Sequence, residues 1–141
     1  MSTGHTLPEL LIVLTITGTL TALAAPRVQQ ARDHAIVRDG VTEIVATLRA
    51  ARSAAQRRDA RAVVSFDTAA AAAMLTVERD TVLVHQFGAE LGVTLEASRD
   101  TVIYGPSGRG YGSSNTTLIV RRGNAADTVT VSRLGRVRRS H

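Results

Sequence analysis

From Leu10 to Ala25 the chain reads LLIVLTITGTLTALAA, an uncharged run standing directly behind an acid, Glu9. Extended back to Leu7, the run is about 19 residues, or roughly 28 Å of helix at 1.5 Å per residue, enough to cross a hydrocarbon core. Its threonines can return their hydroxyls to the backbone of the preceding turn, which makes them tolerable in lipid. Gly18 is a weak point in the helix. The competing reading is a secretory signal peptide, because Ala22-Leu23-Ala24 fits an A-x-A cleavage site. Two features oppose it. Residues 1–4 hold no basic side chain to serve as an n-region, and a signal peptide has no use for Glu9. An ionisable group at the threshold of an apolar run is costly and implies a partner.

The whole sequence is 141 residues, which suits one small domain in addition to the apolar segment. Beyond Pro26 the pattern stays helical but becomes amphipathic. Val37, Val41, Ile44, Val45, Leu48, Ala51 and Ala55 follow a 3.6-residue spacing, with Arg38, Arg49, Arg52 and Asp59 off the stripe. This predicts a helix to about residue 60, continuous with the apolar run or kinked at Pro26. A heptad coiled coil is the second reading, but the stripe is short for one.

After Arg61 the period changes to short β-like runs: Ala62–Phe66, Ala72–Glu78, Thr81–Phe87, Val93–Ala97, Thr101–Tyr104, Thr116–Arg121 and Thr128–Arg133. Turns are expected at Asp67-Thr68, Gly123-Asn124 and Leu134-Gly135. The alanine run 69–73 fits helix or strand. Gly105 to Gly112 (GPSGRGYG) reads as a flexible loop between strands; it lacks the Lys-Ser/Thr ending of a phosphate-binding loop. A binding loop using Arg109 and Tyr111 is the minor alternative. The predicted class is α+β, one long helix packed on antiparallel sheet.

Two resemblances sharpen this reading. Gly4-His5-Thr6-Leu7-Pro8-Glu9-Leu10-Leu11, followed by the apolar helix, resembles a class III prepilin signal. The resemblance implies cleavage by a prepilin peptidase between Gly4 and His5, N-methylation of His5, and use of Glu9 in filament assembly. His5 stands where phenylalanine is usual, and residues 1–4 lack the usual basic residue. Further on, Ile103-Tyr104-Gly105-Pro106-Ser107-Gly108, Thr117-Leu118-Ile119-Val120, Val129-Thr130-Val131-Ser132 and Gly135-Arg136-Val137-Arg138 together resemble the GspH/FimT family. Its members are minor pseudopilins of type II secretion and minor pilins of type IV pili. The implied organisation is a leader at 1–4, a transmembrane and assembly helix at 5–26, an amphipathic stalk helix at 27–61 and a β-rich globular domain at 62–141. The implied location is the bacterial inner membrane, single-pass, with the globular domain in the periplasm. The implied partners are other major and minor pilins or pseudopilins, the prepilin peptidase and secreted protein.

Charge adds a second function class. Residues 101–141 hold seven arginines (Arg109, Arg121, Arg122, Arg133, Arg136, Arg138, Arg139) against one acid, Asp127, whereas the first hundred residues are nearly balanced. Such an end can face nucleic acid, anionic lipid or an acidic protein. There is no lysine, which fits GC-rich coding bias as well as a need for bidentate phosphate ligands. Some FimT-type proteins are associated with DNA uptake through G-R-x-R, so the resemblance also implies DNA as a partner. The candidate contacts are Arg133, Arg136, Arg138 and Arg139; a solvated final strand is the alternative. Arg136 and Arg138 are two apart and would project to one side of an extended segment, about 7 Å from each other.

Enzyme chemistry is not legible. The histidines His5, His34, His85 and His141 are scattered, no cysteine exists, and Ser107, Ser113 and Ser114 read as loop polars. No metal site or cofactor is expected. The expectation is a filament subunit of a secretion pseudopilus or type IV pilus, with DNA capture as the alternative.

Overall fold

A 52-residue helix, α1 (Leu7–Arg58), carries both the uncharged run and the amphipathic stretch in the computed structural model, which describes residues 6–112 and 115–140. The chain divides into two units, Met1–Arg32 and Asp33–His141. Every described residue of the first unit is exposed, including Leu10, Leu11, Ile12, Val13, Leu14, Ile16, Leu20 and Leu23. By length and composition this helix can cross a membrane. Thr15, Thr17 and Thr21 donate to the carbonyls of Leu11, Val13 and Thr17 at 2.7–2.8 Å, the back-bonding expected of hydroxyls in lipid. Pro26 offers no N–H, yet the helix continues through it.

In the second unit, the stripe expected to be apolar is buried. Val37, Val41, Ile44, Leu48, Ala51 and Ala55 are each no more than 2% exposed, and Val45 is half-buried. Arg38, Arg49, Arg52 and Asp59 face out. Against this stripe pack β1 (Ala62–Asp67), β2 (Ala72–Val77), β3 (Asp80–Gln86), α2 (Phe87–Leu91), β4 (Thr94–Ala97), β5 (Thr101–Tyr104), β6 (Thr116–Arg122), β7 (Ala125–Val131) and β8 (Val137–Ser140). They form two antiparallel four-stranded sheets, ordered β3-β2-β1-β5 and β4-β6-β7-β8. Alternate residues point into one aliphatic core: Val64, Leu75 and Val102 from the first sheet, and Leu118, Val120, Val129 and Val131 from the second. The architecture is the predicted α+β.

The differences lie in short elements. α2 has only five residues, too few for a helical period, and β8 (VRRS) is too charged to alternate. β7 begins at Ala125, three residues before the first β-branched residue of the predicted run. The alanine run divides in two. Asp67 Oδ1 accepts from the N–H of Ala69 and Ala70 at 2.9 and 3.0 Å, closing a turn, and β2 starts at Ala72.

The glycine-rich loop is folded rather than loose. Gly105 N–H donates to the Arg109 carbonyl, Gly108 N–H to the Gly105 carbonyl and Tyr111 N–H to the Ile103 carbonyl, all at 2.8–2.9 Å. The Arg61 guanidinium lies 4.1 Å from the Tyr111 ring centroid and also donates to its hydroxyl. Beneath the loop Tyr104 is fully buried, its hydroxyl donating to the Gly135 carbonyl at 3.4 Å. Gly135 has φ +76°, and a Cβ there would stand 2.6 Å from Tyr104 Cε1 and 2.9 Å from Gly110 N. Packing therefore demands glycine at the start of the G-R-x-R segment.

Burial pushes the Tyr104 phenol up to about 12, although the nearby Arg52 charge acts in the opposite direction. Between the unfolded value of about 10 and this folded value, only the folded chain keeps the proton, so stability falls as pH rises through that window. With no lysine in the chain, tyrosine dominates this part of the side-chain titration. We expect phenolate absorbance to show a step near pH 12 that disappears in Tyr104→Phe. A wild-type titration complete by about pH 10.5 would contradict the burial.

Candidate functional site

The candidate residues fall at the two ends of the chain. Gly4 and His5 lie outside the described residues. Glu9 sits in the first turn of α1, where a carboxylate complements the partial positive charge of the helix N-terminus. Around it the helix presents only apolar and hydroxyl side chains up to Pro26. A carboxylate so placed recognises a cation, and lipid or a neighbouring helix strengthens that preference by removing water.

At the other end, Arg133 lies in the turn after β7. Ser132 N–H donates to the Arg136 carbonyl at 2.8 Å, and Arg136 N–H donates to Ser132 Oγ at 3.1 Å. These bonds close the turn and lead into β8. Arg138 pairs across β8–β7 with Thr130, which pairs in turn with Thr117 of β6. Arg138 therefore lies on the outer face of this sheet. Arg133, Arg136 and Arg138 are all exposed and make no ion pair among the described residues.

Arg139 takes the opposite parity. Its Nε donates to Asp127 Oδ2 at 2.7 Å, with a second bond from its terminal nitrogen to the same oxygen. Asp127 is only 6% exposed, and its other oxygen accepts from Thr128 N–H at 2.8 Å. A carboxylate this buried depends on its counterion, because removing either partner leaves an uncompensated charge. The structure thus separates Arg139 from the three arginines with which the sequence groups it.

Two other arginines of the basic third are also paired. Arg122 Nε donates to Asp33 Oδ1 at 3.1 Å, and its NH1 donates to the Leu91 carbonyl, joining β6 to α1 and to the end of α2. Arg121 meets Glu96 at 3.0 Å on the outer face, where both are about half exposed and solvent screens the pair. Arg109 remains exposed in the glycine-rich loop. The close approach of Gly110 to Gly135 brings this loop beside the turn that carries Arg133 and Arg136. Among the described residues of the basic third, the arginines without an ion pair are therefore Arg109, Arg133, Arg136 and Arg138.

The sequence reading missed both inward ion pairs. Asp127 shares its parity with Ala125, Val129 and Val131, so a strand begun at Ala125 marks it as an inward acid in need of a partner. Asp33 and Arg122 are 89 residues apart, with no local signal. It also missed a convergence of Glu43, His85 and Glu90, whose ligand atoms lie within 4.8 Å of one another. His34 and Ser107 are exposed, and His141, Ser113 and Ser114 lie outside the described residues.

None of the curated proteins compared with the chain matches it. Two crystal structures of the type IV minor pilin FimU from Pseudomonas aeruginosa resemble it in fold. One has a TM-score of 0.63 at 14% identity, covering 74% of this chain and 88% of FimU. The other has a TM-score of 0.60 at 12% identity, covering 74% and 92%. At these identities the likeness shows the fold: a long N-terminal helix followed by antiparallel sheets. The family profile described as Type II transport protein GspH matches residues 24–135, and the chain therefore belongs to that family, the GspH/FimT-type minor pseudopilins and minor pilins.

Proposed function

We propose that this chain is a membrane-anchored minor subunit of an envelope filament, a type II secretion pseudopilus or a type IV pilus, acting in tip assembly and protein secretion. The exposed apolar face of α1 carries this reading. Leu7, Leu14 and Leu23 are each about 70% exposed. Apolar area on this scale is stable only in lipid or against other helices, at about 25 cal/mol per Å². A subunit that inserts in the inner membrane and then enters a filament meets both conditions in turn. Its globular domain then stands in the periplasm, and its partners are other pilins or pseudopilins and exported protein. The work is structural, with no catalytic step.

Assembly follows from charge. Cleavage between Gly4 and His5 by a prepilin peptidase leaves a free amine, methylated on His5, close in sequence to Glu9. Neither ion is comfortable alone in an apolar setting, but the Glu9 carboxylate of one subunit and the amine of another can neutralise each other. Entry into the filament is then coupled to burial of the pair. Glu9→Gln is nearly isosteric and removes only the charge. We expect it to leave membrane insertion intact while recovery with partner subunits falls by about tenfold or more. Unchanged co-purification would contradict the pairing.

A second reading, capture of DNA for uptake, is favoured by the uncompensated Arg133, Arg136 and Arg138. Guanidinium groups along an exposed edge can follow one phosphate strand, and no aromatic side chain alternates with them in this segment, so binding should ignore sequence. Arg139 is left out because it holds Asp127. The test is anisotropy of labelled duplex DNA with the full chain in detergent at two salt concentrations. Arg136→Gln with Arg138→Gln should reduce the salt slope by about two phosphate contacts. Absence of salt-dependent binding by the wild type at low ionic strength would contradict DNA capture and leave docking on an acidic subunit.

A further inference from the structure

We propose that Glu43, His85 and Glu90 form a binding site for a divalent transition-metal ion, with Zn²⁺ as the best fit. The three come from separate elements of the second unit: Glu43 from α1, His85 from β3 and Glu90 from α2. Each offers one ligand atom, and these atoms lie within 4.8 Å of one another. Sequence separation hides the grouping, since Glu43 is remote from the other two.

The Glu43 carboxylate gives an independent reason to look for a ligand. Its Oε2 is closed off from solvent and accepts no hydrogen bond among the described residues. His85 Nδ1 stands 4.0 Å away, at ion-pair range but beyond hydrogen-bonding distance. Although the Glu43 side chain is 41% exposed as a whole, an oxygen closed off without a donor is an acceptor that a cation would satisfy. The His85 imidazole is stacked on Phe87, with ring centroids 5.5 Å apart and planes 15° from parallel. Phe87 is buried in the core and limits how far that ring can turn.

The donor set decides the class of ion. One imidazole nitrogen and two carboxylates suit Zn²⁺, with bonds of about 2.0–2.2 Å. The imidazole disfavours Mg²⁺ and Ca²⁺, which prefer all-oxygen shells. Two carboxylates also balance the charge of a divalent ion. Tetrahedral donors at those bond lengths are about 3.4 Å apart, so the ligands must close by roughly an ångström. Glu90 is exposed and can make most of that movement. Water completes the coordination on its side. The ion would fasten the edge strand β3 and the short helix α2 to α1, a structural clip.

The test uses the untagged full chain in detergent at neutral pH, titrated with Zn²⁺ and with Mg²⁺. We expect saturable one-to-one Zn²⁺ binding, a rise in thermal midpoint with added Zn²⁺, and a visible absorption band with Co²⁺. Mg²⁺ should do none of this. His85→Gln and Glu43→Gln should each weaken Zn²⁺ binding by about tenfold or more, whereas His34→Gln should leave it unchanged. Circular dichroism of each variant separates a lost ligand from a lost fold. No saturable Zn²⁺ binding, or binding that His85→Gln and Glu43→Gln leave unmoved in folded protein, would overturn the proposal.

Discussion

The fold depends on one face of α1. Between Val37 and Ala55 the helix places aliphatic and small side chains at 3.6-residue spacing, and both sheets close over them. A core with no tryptophan and only two phenylalanines has little bulk to contribute, so it relies on close approach. Gly40, Ala51, Ala54 and Ala55 supply that closeness along the helix. Truncating Ile44 or Leu48 in such a core would leave a cavity costing about 2–5 kcal/mol. N-terminal to this face, the same helix is apolar up to Pro26, and its described residues are exposed. The sequence thus divides one continuous secondary structure between a face that folds the domain and a surface that needs outside partners.

Charge is arranged around that constraint. Inward-facing Asp33 and Asp127 each receive an arginine, Arg122 and Arg139 respectively. Such pairs add little net stability, yet each becomes costly once a partner is lost. They also consume cations that the sequence presents as one basic block. What remains outward without an ion pair among the described residues, Arg109, Arg133, Arg136 and Arg138, is a smaller and more defined surface. Gly135 is required there by the packing of Tyr104, so its place in the G-R-x-R segment reflects folding as well as any partner.

Much of this was legible from residue order. The helical stripe, the threonine back-bonding and the cores of strands β1 to β7 followed from periodicity, because burial on one face leaves a repeat that needs no partner to be recognised. The prepilin-like N-terminus and the GspH/FimT-like segments gave the family. What was hidden depended on contacts between distant residues. β8 is a strand because β7 accepts its backbone, although VRRS has no alternating pattern of its own. The glycine-rich loop looked flexible in sequence, but Tyr104, Arg61 and Gly135 hold it in place. The pairing of Arg122 with Asp33 and the convergence of Glu43 with His85 likewise arise only when α1 packs on the sheets.

The central claim is that the apolar helix is retained and delivered to a filament, which requires the chain to be cut ahead of it. Intact-mass analysis after co-expression with a prepilin peptidase tests this most directly. The account predicts a mature chain beginning at His5 and carrying one added methyl group, with Gly4→Val left uncut. A mature chain beginning at Ala25, with the helix removed, would contradict it.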